Sequence, residues 1–442
     1  MRYASAIGSR QSANRDRATR ARGGVALSLG RLLAVVGCVL AGPAVAAQAP
    51  ADLPPAESVV RALDAHPKVQ AAQARLTAAQ AEGERLLAGE HEFGLSLLSQ
   101  QRRVRAGPDY QEWSVGIERG LRLPGKAGLD RAIGAKGVAE AAERLGDARH
   151  ETARQLLELW YGRLLARAEV ALWRQQVDVL QEQRRTTEIR VRRGDAARLD
   201  SLQAEAALAQ AESELRRAEA REQIALAELV AHFPELPPAG TASAEPVLPA
   251  EGEAHWAQRL LAHNHEILAV QRAQERLRLQ AERAGAERLP DPRLGLHYAR
   301  ELDGRENIVG VSLSIDLPGA ARQARAELYR AEAEAMAQDV AQVRRRLLAE
   351  AAGNWQRASA GVEGYQRLKA AAEAVERHAE LSRRAYRLGE LGLGETLLAQ
   401  RAALQARLAA EQGRLEANLA IARLLLDAHS LWLAEPDEAE HR

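Results

Sequence analysis

Val115-Gly116-Ile117 followed by Leu123-Pro124-Gly125 returns 194 residues later as Val309-Gly310-Val311 followed by Leu317-Pro318-Gly319. In both copies apolar residues alternate with small or polar ones, and the run stops where proline removes a backbone donor, as a strand with one apolar face would. Outward from this step, two further anchors repeat in the same order. His66–Gln73 matches Asn264–Gln271 at an offset of 198, and Gly194-Asp195 with Asp200-Ser201-Leu202 matches Gly389-Glu390 with Glu395-Thr396-Leu397 at an offset of 195. Three ordered anchors at nearly constant spacing make the chain a tandem duplication. The five prolines of Pro234–Pro249 divide the halves.

Each half has one grammar. A helical run comes first, at about 57–89 and 254–289, with apolar residues at helical spacing. Two alternating segments follow: Phe93, Leu95 and Leu97, then Trp113, Val115 and Ile117, in the first half; Leu294, Leu296 and Tyr298, then Val309, Val311, Leu313 and Ile315, in the second. Polar turns at 102–111 and 302–306 separate the members of each pair, so two β-hairpins are expected. After Leu-Pro-Gly a helical pattern runs about 65 residues, roughly 100 Å at 1.5 Å per residue. Gly194 and Gly389 then turn the chain into a second long helix. The expected organisation is a targeting segment at 1–47, a first repeat at 48–235 (hairpin 91–122, long helices 126–232), a linker at 236–252, a second repeat at 253–434 (hairpin 292–316, long helices 320–433) and a tail at 435–442. The fold class is mainly α with a small β part.

Composition agrees. The 442 residues are rich in Ala, Leu, Glu, Gln and Arg, with two Phe and two Met, which suits long helices packed side by side and argues against a large aromatic core. Arginines from Arg15 to Arg31, the apolar run Leu32–Leu40 and the small residues Ala44–Ala47 have the layout of an export signal. That segment carries seven Arg and one Asp, so its removal turns the formal +1 of the chain into −5, which disfavours nucleic acid as a partner. Cys38, the single cysteine, falls inside the segment, so no disulfide is expected after cleavage. Val35-Val36-Gly37-Cys38 also admits a lipoprotein cleavage, although the apolar run continues past it. No later stretch approaches the roughly 20 apolar residues of a transmembrane helix, so any crossing must be a closed β-barrel.

The alternating segments are about ten residues long, enough for tilted membrane strands. Solvated hairpins capping a helical bundle are the alternative that alternation alone leaves open. The export signal and the helix lengths favour the membrane. Four strands cannot close a barrel whose known minimum is about eight, so closure requires an oligomer, and three copies would supply about twelve.

The tandem halves, the Val-Gly-Ile and Val-Gly-Val strands ending in Leu-Pro-Gly, and the tips Arg190-Val191-Arg192-Arg193-Gly194 and Tyr386-Arg387-Leu388-Gly389 resemble the TolC family of outer-membrane efflux channels over nearly all of the mature chain. The family has an aromatic-Gly-Gly after the strand proline. Gly125-Lys126-Ala127 and Gly319-Ala320-Ala321 stand there instead, a departure in the direction of the heavy-metal-efflux branch. The resemblance implies a homotrimer with a twelve-stranded outer-membrane barrel and a helical barrel across the periplasm, acting as a duct for metal cations or drugs with a periplasmic adaptor and an inner-membrane pump of the RND type. It implies no catalytic residue and no cofactor.

The acids Asp195, Asp200, Glu390 and Glu395 fall near the two tips, where threefold symmetry would make carboxylate rings that gate or select; as acids near helix starts they also suit the helix dipole. Arg190, Val191, Gly194, Tyr386 and Gly389 match the positions at which the family meets its adaptor. Val309, Val311, Leu313 and Ile315 are expected to face lipid. Among the eleven histidines, His263 and His265 invite a metal reading, but an i, i+2 pair does not face one way on a helix, and no metal site is expected. No phosphate loop or catalytic triad pattern is present. The rival reading is a periplasmic coiled-coil adaptor or structural spacer, equally exported and rich in the same residues.

Overall fold

The structure, a computed structural model, describes residues 50–237 and 244–432. The targeting segment with Cys38, residues 238–243 of the linker and residues 433–442, which include the tail, lie outside the described residues. Among the described residues, one order of four α-helices and two strands runs twice: α1 (Ala56–Ala65), α2 (Pro67–Ala88), β1 (Phe93–Arg102), β2 (Tyr110–Gly120), α3 (Lys126–Arg193) and α4 (Arg198–His232), then α5 (Glu253–His263), α6 (His265–Ala286), β3 (Arg293–Glu301), β4 (Glu306–Ser314), α7 (Ala320–Leu388) and α8 (Leu393–Asp427).

The 68-residue α3 and 69-residue α7 continue unbroken because no proline interrupts them and their composition is that of strong helix formers. Both end where Gly194 and Gly389 take left-handed conformations, φ 82° and 81°. The N–H groups of Asp195 and Glu390 then donate back to the carbonyls of Arg190 and Ala385, the pairing that satisfies carbonyls left over at a helix end.

The leading helix of each repeat differs from expectation. The runs at 57–89 and 254–289 are each two helices, parted at His66 and Asn264, whose ψ values of 134° and 114° are extended. Pro67 explains the first break, since the residue before a proline avoids helical geometry. Asn264 explains the second by capping α6 from outside, its side-chain carbonyl accepting the Ile267 N–H at 3.1 Å.

The long helices pack side by side as one layer. Above its middle the order is α2-α3-α6-α7; below it, α4-α3-α8-α7. The short helices α1 and α5 lie against α3 and α7. Around them sits the main core, with Val59, Leu63, Leu156, Leu157, Trp160, Leu229, Phe233, Trp256 and Leu424–Leu426. Trp160, Tyr161, Phe233 and Trp256 make this core an aromatic belt. Asp52 ties the chain preceding α1 to that belt, accepting hydrogen bonds from Trp160 Nε1 on its carbonyl and from the Tyr161 hydroxyl on its carboxylate, both at 2.8 Å. Burial, then the Asp52 charge, push the Tyr161 hydroxyl pKa upward, so it stays a donor.

Candidate functional site

Three regions carry chemistry: the sheet, its base and the helical tips. The two hairpins join through β2 and β3 into one antiparallel sheet of order β1-β2-β3-β4. Register decides its faces. Leu95 pairs with Ile117, Ile117 with Leu296 and Leu296 with Val311; Leu97, Val115, Tyr298 and Val309 form the next row. Paired residues point to the same side, so these rows and Leu294–Leu313 lay one apolar face across all four strands. The opposite face carries Ser96, Gly116, Glu118, His297, Gly310 and Ser312. Val309 and Val311 are 80% and 69% exposed, and Leu313 is exposed as well. Ile315 lies outside the ladder, because β4 ends at Ser314; it keeps the parity of the row but belongs to the loop before Pro318.

At the base of the sheet lies a network of buried charges that no sequence pattern announced. Lys126, 2% exposed, donates from Nζ to the Leu289 carbonyl at 2.7 Å and to Asp291 Oδ1 at 2.9 Å. Asp291 also accepts the Leu123 N–H and lies 2.9 Å from His91 Nε2. Burial works to raise its carboxyl, but the hydrogen bonds from Lys126, Leu123 and His91 outweigh that and hold its pKa at about 2. Arg122 caps α2 by donating to the Leu86 and Leu87 carbonyls and pairs with Asp130, which Arg283 grips from the other repeat. The strand exit of one repeat is thus bolted to the strand approach of the other. The signal available in the sequence was Lys126 itself, the residue that breaks the Gly-Gly step.

At the tips the expected surface residues turn to one another. Tyr386 is only 3% exposed, packed with Ala204 and Leu393. Its hydroxyl is 3.1 Å from Thr187 Oγ1, the Arg190 guanidinium lies 4.7 Å over its ring, and Arg190 donates to the Tyr386 carbonyl at 3.0 Å. Tyr386 is therefore not an open contact for a second protein in this arrangement, because it joins the end of α7 to the end of α3. Val191 is half-buried, and Gly194 and Gly389 are exposed. Asp195, Glu390 and Glu395 are exposed and Asp200 half-buried. Asp200 and Glu395 stand in the first turns of α4 and α8, whose N-cap residues are Ala197 and Gly392, so neither acid is the cap itself. Among the described residues none of the four carboxylates has an ion-pair partner. The same tips carry Arg190, Arg192, Arg193, Arg198 and Arg387, so the acids do not set the local charge alone.

No helix of the described residues is long and apolar enough to cross a membrane. Residues 59–232 match the outer membrane efflux protein family. The alkaline protease secretion protein AprF of Pseudomonas aeruginosa is 30% identical over 203 residues, 41% of this chain and 42% of that protein, so the match spans about two-fifths of the relative. Among solved structures, CusC superposes with a TM-score of 0.74 at 15% identity, covering 84% of this chain and 91% of CusC. OprN gives 0.72 at 20% identity over 85% and 90%, and VceC of Vibrio cholerae 0.70 at 18% over 85% and 96%. At these identities the likeness is one of fold, and it extends through both repeats.

Proposed function

We propose that this chain, whose residues 59–232 match the outer membrane efflux protein family, is the channel subunit of a Gram-negative outer membrane, conducting cargo from the periplasm to the exterior as a homotrimer. One observation carries the reading: every layer of the molecule ends in an open edge. β1 and β4 each have one unpaired side, and the helical layer ends at α2 and α4 on one side and α7 on the other. An unpaired strand edge beside a continuous exposed apolar face is an aggregation hazard in water and is removed by closing a barrel in lipid. Three copies joined β4 to β1 and α7 to α2 and α4 would give about twelve strands above a ring of helices. Leu328, Leu348, Leu381, Leu199 and Ile224, exposed on the edge helices α7 and α4, are apolar surface available to such contacts.

A coiled-coil adaptor or spacer has no use for an apolar face across four strands. The adaptor partner is placed at the tips, on the exposed arginines and the outer side of Val191 rather than on Tyr386. Cargo choice is assigned to an inner-membrane pump of the RND type; metal cations, drugs and, by likeness to the protease secretion protein AprF, a secreted protein would pass the same duct. The duct itself does no chemistry.

The test is the mass of the detergent-extracted protein by light scattering. The expected wild-type result is three chains. Val311→Arg, on the lipid row, is expected to abolish outer-membrane assembly, since arginine at mid-bilayer costs about 2–4 kcal/mol. Ser312→Arg, on the opposite face, is expected to assemble. A monomer, or equal tolerance at both positions, overturns the reading.

A further inference from the structure

At the middle of the helical layer each repeat stacks one helix end on another, and each joint is made of histidines. In the first repeat His66, the N-cap of α2, stacks on His232, the last residue of α4, and on Phe233, at ring distances of 6.3 and 5.3 Å. His66 Nδ1 accepts the Lys68 N–H at 3.2 Å, which only a ring unprotonated at that nitrogen does. In the second repeat His429, just past α8, meets His265 at the start of α6 at 5.0 Å, His263 at the end of α5 at 6.2 Å, and His150 of α3 at 5.4 Å with the two rings parallel to within 2°. The break at Asn264 brings His263 and His265 to one place, which a continuous helix would forbid. Two features mark the joint as constrained. His429 holds φ 55°, left-handed, while its N–H and that of Ser430 donate to Leu426 and Leu425, a helix stop that ordinarily takes glycine. Gly146 of α3 leaves room for the His265 ring, which would lie 2.6 Å from an added Cβ.

We propose that these two joints form a proton-sensitive hinge at the waist of the molecule, closed when His66 and His150 are neutral and loosened in acid. Histidine is the side chain that changes charge between pH 5 and 8. In the first joint a proton on His66 removes the α2 cap and puts a cation at a helix N-terminus beside Lys68, where the dipole opposes it. On α1 and α3 the charges Asp64 and Arg149 pair with each other at 2.8 Å, and Gln155 of α3 approaches His232. Burial, then His232 and Lys68, lower the His66 pKa.

In the second joint the charged groups facing the rings come from α3, α5, α6 and α8. Glu143 of α3 lies 2.9 Å from His265 Nδ1. Asp427 of α8 lies 3.4 Å from His150 Nε2 but is already engaged by Arg154 and by Asn354 of α7. Asp147 and Glu151 of α3 and Glu266 of α6 complete the acidic side, while Arg259 of α5 donates to the Ala428 carbonyl. Burial and then Arg154 lower the His150 pKa to about 4, so its neutral form is favoured by the fold. A folded pKa below the usual value of about 6.5 means stability held at neutral pH and lost as pH falls from about 6.5 towards 4. Parallel stacking aims the ring nitrogens of His150 and His429 past each other, and among the described residues no three His, Cys, Asp or Glu side chains are set to hold a metal ion. The arrangement suits protons.

The test is amide hydrogen exchange of the full chain in detergent at about pH 7.5 and about pH 5, corrected for intrinsic rates. Acid is expected to raise exchange roughly tenfold at 62–70, 228–233, 261–268 and 424–430, and not along the middle of α7. His429→Gly is expected to fold at neutral pH, since glycine suits that φ, and to lose the response at 261–268 and 424–430 only. His66→Asn, a cap at any pH, is expected to lose the response at 62–70 only. A uniform acid response, no response, or variants that respond as the wild type does overturns the proposal. Neither readout depends on the channel reading.

Discussion

The base of the sheet and the helical tips are two of the places where the repeats are fastened together, and they are fastened in opposite ways. At the base, Lys126, Asp291, Arg122, Asp130 and Arg283 form a closed set of ion pairs with buried members and several main-chain bonds. At the tips one tyrosine, one arginine and one threonine make the join, beside exposed carboxylates and arginines. Removing one partner from a set of ion pairs strands a charge; removing Arg190 from the tip join leaves behind only neutral partners. The first design resists opening, and the second permits it.

The largest effect is expected at the base. Lys126→Ala leaves the half-buried Asp291 without its cation and is predicted to cost about 1.5–3 kcal/mol, read as a fall in thermal unfolding temperature of the detergent-solubilised protein. Because the Asp291 carboxyl is held at about 2, below its usual value of about 3.9, its contribution is present above pH 4 and is lost as pH falls from about 4 towards 2. A Lys126→Ala protein as stable as the wild type would make the two fastenings alike.

Arg190→Ala is predicted to cost less, about 1 kcal/mol from the lost cation–π contact and its hydrogen bond. It should raise the frequency of open events in planar bilayers, with the unfolding temperature nearly unchanged. A tip that stays shut after Arg190→Ala and Tyr386→Phe together would mean that closure is held elsewhere along α3 and α7.

The smallest effect sharpens the role of the acids. Asp200→Ala with Glu395→Ala removes first-turn carboxylates worth about 0.3–1 kcal/mol each to the helix dipole. If the acids also form rings at the mouth, ion preference should shift at low salt and recover at about 1 M, where the screening length is about 3 Å. The arginines beside them limit the size of that shift. Unchanged preference at low salt would leave the acids as helix-start charges only.

Much of this was legible in one dimension, because periodicity and punctuation are local. The repeat offsets, the two long helices with their glycine stops, and the alternating rows that end at Leu-Pro-Gly were readable from residue order alone, since helix and strand spacing each follow from the nearest neighbours. The breaks at His66 and Asn264 were missed although Pro67 stood in the first anchor. The parity of the row continues to Ile315, one residue past the last ladder pair.

What only the tertiary structure decided is which distant residues meet. The pairing of β2 with β3, which fuses two hairpins into one apolar face, joins residues about 180 apart. Lys126 finds Asp291, Tyr386 finds Arg190, and His429 finds His150 and His265 at separations that no periodicity encodes. A local pattern fixes the direction in which a side chain leaves its own element. Its partner depends on how whole elements pack, and here that packing turned the tip tyrosine inward and gathered scattered histidines at the waist.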